Sequence, residues 1–334
     1  MIVVRTPFRI SLFGGGTDFP EWFENYGGSV IGTALNKYCY TSVRWLPPFF
    51  KHKSRIVYSK IELVEKIEEI QHPVVRAVLT KLEINKGLEI HHHADLPARS
   101  GLGSSSSFTV GLLHAISSLN SAPVTKNNLV RDAIYVERDM LQETVGCQDQ
   151  VWAAHGGFNK IDFLAGRNIQ INPITIPEER LKAITNSMML FFTGLSRYSS
   201  DIATEQILKL EQNINPRQEI LAMTEEALKL LYSPNFSIKE LGELLSASWE
   251  KKKQLADNIS TDQINQIYTT ALDAGAAGGK VLGSGGGGFM LLVVEPKHQE
   301  QVKTALRNLI QVNVGTDHDG SKIVIFEPEG LGNV

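Results

Sequence analysis

An α+β chain of two domains is predicted by two features of the 334-residue sequence: short strand-like runs dominate its first part, and long helical stretches replace them from about residue 186. A closing β, α, β run then follows. The boundary is expected near residue 185, giving domains of 1–185 and 186–334, although no long linker marks it.

The runs IVVRT, FRISLF, SVIGTAL, YCYTSVRWL and RIVYS are separated by glycine, proline and polar clusters, which reads as sheet. A helix is expected at about 73–83, then the strand LEIHHHADL. Phe108, Leu112, Leu113, Ile116 and Leu119 recur at helical spacing and predict a serine-capped helix, followed by another at about 127–141. GGFNKIDF and RNIQINPI read as a hairpin. Beyond them MMLFFTG is a buried strand, and helices are expected at about 199–232, 237–253 and 261–273. GGFMLLVVE, HQEQVKTALRNLI and KIVIFEP supply the closing β, α, β run.

Composition narrows the function. A formal charge of −3 gives no general attraction to nucleic acid or to an anionic membrane, so any anion site must be local. Two cysteines, Cys39 and Cys147, without close spacing read as reduced thiols of a cytosolic protein. No stretch reaches about 18 uninterrupted apolar residues and the N-terminus lacks a signal-peptide pattern, so a soluble, unexported, cytoplasmic protein is expected.

The most informative stretch is LPARSGLGSSSSFTVGLLHAISSL, residues 96–119. Gly101 and Gly103 can take the positive φ that turns successive N–H groups inward, and the serines then open a helix whose unpaired N–H groups and positive dipole end lie near Ser104 to Ser106. An anion is stabilised there. The lysine of G-x-x-x-x-G-K-[ST] is absent, so this is a different phosphate loop from the common one. Taken alone, a tight turn before a serine-capped helix explains the same residues.

Other residues are read against equally plain alternatives. Glu137 and Asp149 stand 12 positions apart, which on one straight helix is about 18 Å, so Gly146 is expected to break the helix and fold the chain back. Locally, Glu137 also reads as a solvated acid beside Arg138 or Arg131, and Asp149 as the N-cap of VWAAH. The glycine run 283–288 precedes an apolar strand, which argues for a held loop over a flexible linker. His91, His92 and His93 point to alternate faces of a strand and do not form a metal pattern.

P-F-R-I-S-L-F-G-G-G-T-D at 7–18, S-G-L-G-S-S-S-S at 100–107, G-C-Q-D-Q at 146–150 and G-K-V-L-G-S-G-G-G-G-F at 279–289 occur in that order. Together they resemble the GHMP family of small-molecule kinases, named for galactokinase, homoserine kinase, mevalonate kinase and phosphomevalonate kinase. The resemblance spans nearly the whole chain and implies a two-domain fold with the active site in the interdomain cleft. It implies ATP bound by Ser100, Gly101, Leu102, Gly103, Ser104, Ser105 and Ser106. Mg²⁺ would lie on Ser105 and Glu137, the general base would be Asp149, and Arg9 would support the base and the transferring phosphoryl group. Gly14, Gly15, Gly16, Thr17, Asp18, Ser284, Gly285 and Gly286 would meet the acceptor.

F-G-G-G-T-D-F-P and F-F-T-G-L-S-R-Y-S-S look like the branch that phosphorylates D-glycero-D-manno-heptose 7-phosphate at its anomeric hydroxyl. Galactokinases carry G-E-H-T-D where this chain has Gly14-Gly15-Gly16-Thr17-Asp18, which leaves room for a longer or phosphorylated sugar. Arg197, with Arg99 and Lys280 as rivals, would meet the phosphate already on that sugar. The partners implied are ATP and a sugar phosphate, with no nucleic acid or membrane and with a homodimer left open. The alternatives are an L-fucose kinase or another sugar 1-kinase, a noncatalytic sugar and nucleotide sensor of the same fold, and a dehydrogenase, which lacks the G-x-G-x-x-G spacing.

Overall fold

β1 (Ile2–Phe13) is buried over its last eight residues, and β2 (Gly28–Trp45) runs antiparallel along it, Ile2 opposite Val43 and Phe13 opposite Ile31. The structure, a computed structural model, describes residues 1–195 and 199–329, apart from the side chains of Ser199 and Ser200. Between the two strands Pro20 opens the short helix α1 (Pro20–Tyr26), where its missing N–H has no helical partner to lose. Next come β3 (Ser54–Val57), β4 (Ile61–Val64), α2 (Pro73–Lys81), β5 (Leu88–Ala94), α3 (Ser104–Leu119), α4 (Lys126–Ile134), α5 (Gln148–His155), β6 (Phe158–Leu164) and β7 (Asn168–Pro173). β2 is long enough to serve two neighbours: Gly28 to Thr33 pairs with β6, and Cys39 to Trp45 pairs with β5. Helices α3 and α5 pack on β1 and β2. Both cysteines are buried thiols, and burial pushes Cys39 up to about 12.

The chain leaves this sheet through α6 (Glu178–Ser187) and enters a second sheet at β8 (Met188–Phe192). The rest comprises α7 (Ser199–Leu208), α8 (Ile214–Tyr232), α9 (Ile238–Lys253), α10 (Asp262–Asp273), β9 (Gly278–Val281), β10 (Phe289–Val293), α11 (Gln299–Ala305), β11 (Ile310–Val312) and β12 (Lys322–Phe326). The second sheet is antiparallel in the order β11-β8-β10-β9. α9 packs on β9 and β10, and α8 packs on α9 and also touches β1 and β2, so the pair of helices links the two sheets.

Three expectations are adjusted. KIVIFEP, grouped by sequence with the second domain, forms β12 and pairs with β1, Ile2 opposite Phe326 and Arg5 opposite Lys322, covering an edge that would otherwise stand open. The helix expected over 199–232 breaks between Leu208 and Ile214, and Pro216 falls in the first turn of α8, where proline is tolerated. The helix expected over 127–141 is α-helical only to Ile134. It widens into a π-helical turn at Tyr135–Met140, with Leu141 N–H bonded to the Val136 carbonyl, and such turns often mark functional sites. Among the described residues no helix is long and apolar enough to cross a membrane.

Candidate active site

The loop before α3 is shaped by left-handed backbone at Arg99, Gly101 and Gly103, with φ of 59°, 80° and 75°. Gly103 is the N-cap of α3, so the free N–H groups of the first turn open beside it. β1 holds the loop: Arg9 N–H donates to the Leu102 carbonyl at 3.1 Å, and Arg9 Nη1 donates to the Gly101 carbonyl at 2.6 Å. Gly101, Gly103, Ser104, Ser105 and Ser106 line a cavity of about 760 Å³. Ser100 and Leu102, also expected on the nucleotide, do not line it. Leu102 is fully buried, and the Ser100 carbonyl accepts from Phe289 N–H at 3.1 Å.

Glu137 is fully buried one hydrogen bond behind that wall. Ser106 Oγ donates to Glu137 Oε2 at 2.9 Å, and Gln150 Nε2 donates to the same oxygen. Ser105 is exposed, so the serine in contact with the glutamate is one position later than the family resemblance implies. Each step along an α-helix turns the side chain by about 100°, and Ser106 is the one that faces inward. The Glu137 Oε1 atom is buried with no hydrogen-bond partner among the described residues, and burial pushes the carboxyl up to about 7. A dry carboxylate with an orphaned oxygen and no basic partner fits an Mg²⁺ ion, which takes oxygen ligands and fills the rest of its shell with water and phosphate.

Asp149 is the second residue of α5, whose N-cap is Cys147, so the capping alternative is set aside. Its carboxylate is held by both forks of Arg9, with Nε to Oδ1 and Nη2 to Oδ2 each 2.8 Å. Arg9 is buried and Asp149 is partly open to the cavity. Burial pushes the Asp149 carboxyl up, and the Arg9 guanidinium pulls it back down. A Cβ on Gly103 would stand 3.1 Å from Asp149 Oδ2, so the carboxylate lies directly below the N-cap of the phosphate loop. The helical turn ends at Met140, ahead of the expected break at Gly146, and the chain returns to place Gln150 on Glu137; Gly146 itself packs where a Cβ would meet Asp18 Oδ2 at 1.9 Å.

The loop 14–18 divides into a brace and a face. Gly14 sits against Ser29, and Thr17 Oγ1 donates to the Gly14 carbonyl at 2.8 Å; neither lines the cavity, which corrects their expected contact with the acceptor. Gly15, Gly16 and Asp18 do line it. Asp18 accepts from Gly16 N–H at 3.0 Å and from Gln148 Nε2 at 2.8 Å. From α8, the fully buried Arg217 donates to the carbonyls of Gly16 and Gln206, with its guanidinium 5.7 Å from the Trp22 ring centre.

In the second glycine loop, Gly283 and Ser284 face the cavity, whereas Gly285 and Gly286 turn away and pack on Ile259, Gly286 N–H donating to its carbonyl at 2.9 Å. A Cβ on Gly283 would come within 2.7 Å of Gly101 Cα, so the two glycine loops meet backbone to backbone. Arg197 lies outside the described residues. Arg99 lines the cavity, and Lys280 is buried with Nζ donating to the Leu12 carbonyl at 3.0 Å, its pKa pushed well down by burial.

Sequence reasoning missed Lys252, Gln148 and an aromatic cluster. Lys252 sits in WEKKKQ and reads as a solvated helix end, yet it is buried and lines the cavity. Its signal was the stripe Leu241, Leu245, Trp249, Lys252, which shares one helical face. At another side of the cavity ring centres lie 4.5 Å apart for His92 and Phe108, 5.1 Å for His72 and Phe108, both tilted, and 4.8 Å for Tyr58 and His72, which meet edge to face. Burial lowers His92 to about 4, so this cluster is uncharged at neutral pH.

Two family models match the chain, the GHMP kinases N terminal domain over residues 65–157 and the GHMP kinases C terminal over 225–311. The chain is 28% identical over 321 residues to the D-glycero-alpha-D-manno-heptose 7-phosphate kinase of Campylobacter jejuni, covering 92% of this chain and 93% of that one. It is 25% identical over 349 residues to an L-fucokinase/L-fucose-1-P guanylyltransferase of Bacteroides fragilis, covering 92% of this chain and 36% of that protein. A crystal structure of a D-glycero-D-manno-heptose 1-phosphate kinase from Bacteroides thetaiotaomicron superposes with a TM-score of 0.73 at 26% identity, covering 98% of this chain and 100% of that one. With both halves matched in order and the two glycine loops closing one cavity, the chain belongs to the GHMP kinase family.

Proposed function

We propose that the chain is an ATP- and Mg²⁺-dependent sugar-phosphate kinase. In this reading it transfers the γ-phosphoryl group to the anomeric O1 of D-glycero-D-manno-heptose 7-phosphate, giving the 1,7-bisphosphate for nucleotide-activated heptose synthesis. The observation that carries the reading is the Arg9–Asp149 pair beneath Gly103: a carboxylate held ionised next to a phosphate-binding helix start suits transfer to a neutral hydroxyl. The sugar identity rests on the similarity to the Campylobacter jejuni enzyme and on the room that Gly15 leaves.

The aromatic cluster of Tyr58, His72, His92 and Phe108 suits a flat base, and the amides from Gly103 to Ser106 suit the phosphates. Mg²⁺ held by Glu137 and a serine hydroxyl, from Ser105 or Ser106, would neutralise charge on the nucleotide phosphates. Asp149 takes the proton of the acceptor hydroxyl as its oxygen bonds to the γ-phosphorus and the bond to the β,γ-bridging oxygen breaks, releasing ADP. Arg9 keeps Asp149 ionised and aimed, and its permanent charge lies beside the transferring group. Arg99 and Arg197 are proposed for the phosphate already on the sugar.

The test is ADP release with heptose 7-phosphate, L-fucose and D-galactose, combined with ³¹P NMR of the product. Turnover of heptose 7-phosphate to a species with two phosphate signals is expected. Preference for L-fucose or D-galactose would replace the proposed substrate with a neutral sugar.

A further inference from the structure

Gly15 is surrounded by three polar side chains, each of which keeps a polar atom that the described residues leave without a partner. A Cβ on Gly15 would lie 3.4 Å from Lys252 Nζ, 3.6 Å from Ser11 Oγ and 4.0 Å from Gln148 Nε2. These groups come from α9, β1 and α5, and all three residues line the cavity. Ser11 Oγ is buried with no hydrogen bond among the described residues, and so is Gln148 Oε1. The Gln148 amide is fixed by the donation of its Nε2 to the Asp18 carboxylate at 2.8 Å, which leaves Oε1 as the free end. Lys252 is 6% exposed and its side chain makes no hydrogen bond or ion pair among the described residues.

Unmet hydrogen-bonding groups at a buried position are costly, so such a set is kept where a ligand completes it. Its composition identifies the ligand. Lys252 Nζ only donates, Gln148 Oε1 only accepts, and Ser11 Oγ does both. A phosphate dianion only accepts, so it would leave Gln148 Oε1 facing negative charge with Asp18 close by. A hydroxyl group accepts from the ammonium and donates to the amide oxygen, and a vicinal pair meets all three.

We propose that Lys252, Ser11 and Gln148 form a specificity pocket beside Gly15 that reads one or two sugar hydroxyls of the acceptor and excludes its phosphate. The inference rests on the kinase reading above and adds the residues that choose among sugars. The lowering of Lys252 to about 8, caused first by burial, agrees with an ammonium waiting for a polar ligand in a dry site. Lys252 faces Asp18, Asp149, Arg9, Arg217 and Lys280, so its charge is already surrounded by both signs, and a neutral hydroxyl disturbs that balance least.

The experiment compares wild type with Lys252→Met and Ser11→Ala on heptose 7-phosphate, L-fucose and D-galactose, by steady-state ADP release and by sugar-induced shifts in melting temperature. The expected result is an acceptor KM raised about 10- to 100-fold in Lys252→Met and less in Ser11→Ala, with the KM for ATP unchanged and kcat within about threefold. One monodeoxy analogue of the acceptor should lose affinity in wild type and lose none further in Lys252→Met. A fall in kcat at constant acceptor KM would move Lys252 onto the transferring phosphoryl group and overturn the pocket, as would a Lys252→Met enzyme no different from wild type. If Lys252→Met fails to fold, an unaltered acceptor KM in Ser11→Ala overturns it equally. Turnover of a neutral sugar but not heptose 7-phosphate overturns only the substrate proposal, and the variants are then compared on that sugar. A wild-type protein that neither phosphorylates nor is stabilised by any of the three overturns both.

Discussion

Arg9 and Asp149, 140 positions apart in sequence, meet in a two-pronged pair with both N···O distances at 2.8 Å. The pair joins β1 to the start of α5 under the phosphate loop, so a catalytic proposal and a long-range structural link rest on the same two bonds.

Asp149→Asn should therefore reduce kcat by roughly 10² to 10⁴ while leaving ATP affinity close to wild type, because the amide keeps the shape and cannot take the proton. Steady-state kinetics with nucleotide titration checks this. Near-wild-type turnover in a folded variant would remove Asp149 from the reaction.

Arg9→Lys keeps the charge and loses the fork. Since burial pushes the Asp149 carboxyl up and Arg9 draws it down, a weaker partner leaves that pKa higher than in wild type. A base must be deprotonated to act, so the acidic limb of kcat/KM should move to higher pH, with the deficit growing as pH falls. An acidic limb at the wild-type position would show that Arg9 does not set the ionisation of Asp149.

Glu137→Gln is expected to raise the melting temperature of the metal-free protein, by the equivalent of about 1–3 kcal/mol, because it removes a fully buried acid that has no basic partner. The same change should weaken the dependence of turnover on Mg²⁺, with partial recovery at high metal concentration. A variant less stable than wild type and unchanged in its Mg²⁺ titration would make Glu137 a structural acid.

Gly15→Glu should fold normally, since the backbone at Gly15 is not in the left-handed region and the nearest atom to a new Cβ is the flexible end of Lys252 at 3.4 Å. Its carboxylate would pair with Lys252 and fill the space beside it, raising the acceptor KM by about tenfold or more with the KM for ATP unchanged. Gly14→Ala is the contrasting control: a Cβ there would strike the Ser29 carbonyl at 1.9 Å, so thermal stability should fall. Equal melting losses in the two variants would show that Gly15 is structural as well.

The sequence by itself determined what local chemistry dictates. Left-handed glycines at 101 and 103, a helix opening at Ser104 and a held loop at 283–288 all follow from backbone preferences within a few residues, and each stands where it was expected. The order of the motifs was enough to place the chain in its family. Tertiary structure decided which side chains face inward. Ser106 instead of Ser105 meets Glu137 because the first turn of α3 is rotated by its packing on β1 and β2. Gly14 and Thr17 became a brace because β2 runs beneath them, and β12 crossed to the first sheet because β1 had an edge to cover. Lys252, one of three consecutive lysines, is buried because α9 lays the Leu241, Leu245 and Trp249 face against the second sheet. Conformational preference is carried by each residue and its neighbours, whereas burial is a property of surfaces brought together from distant parts of the chain, so the first could be read in order and the second had to be seen folded.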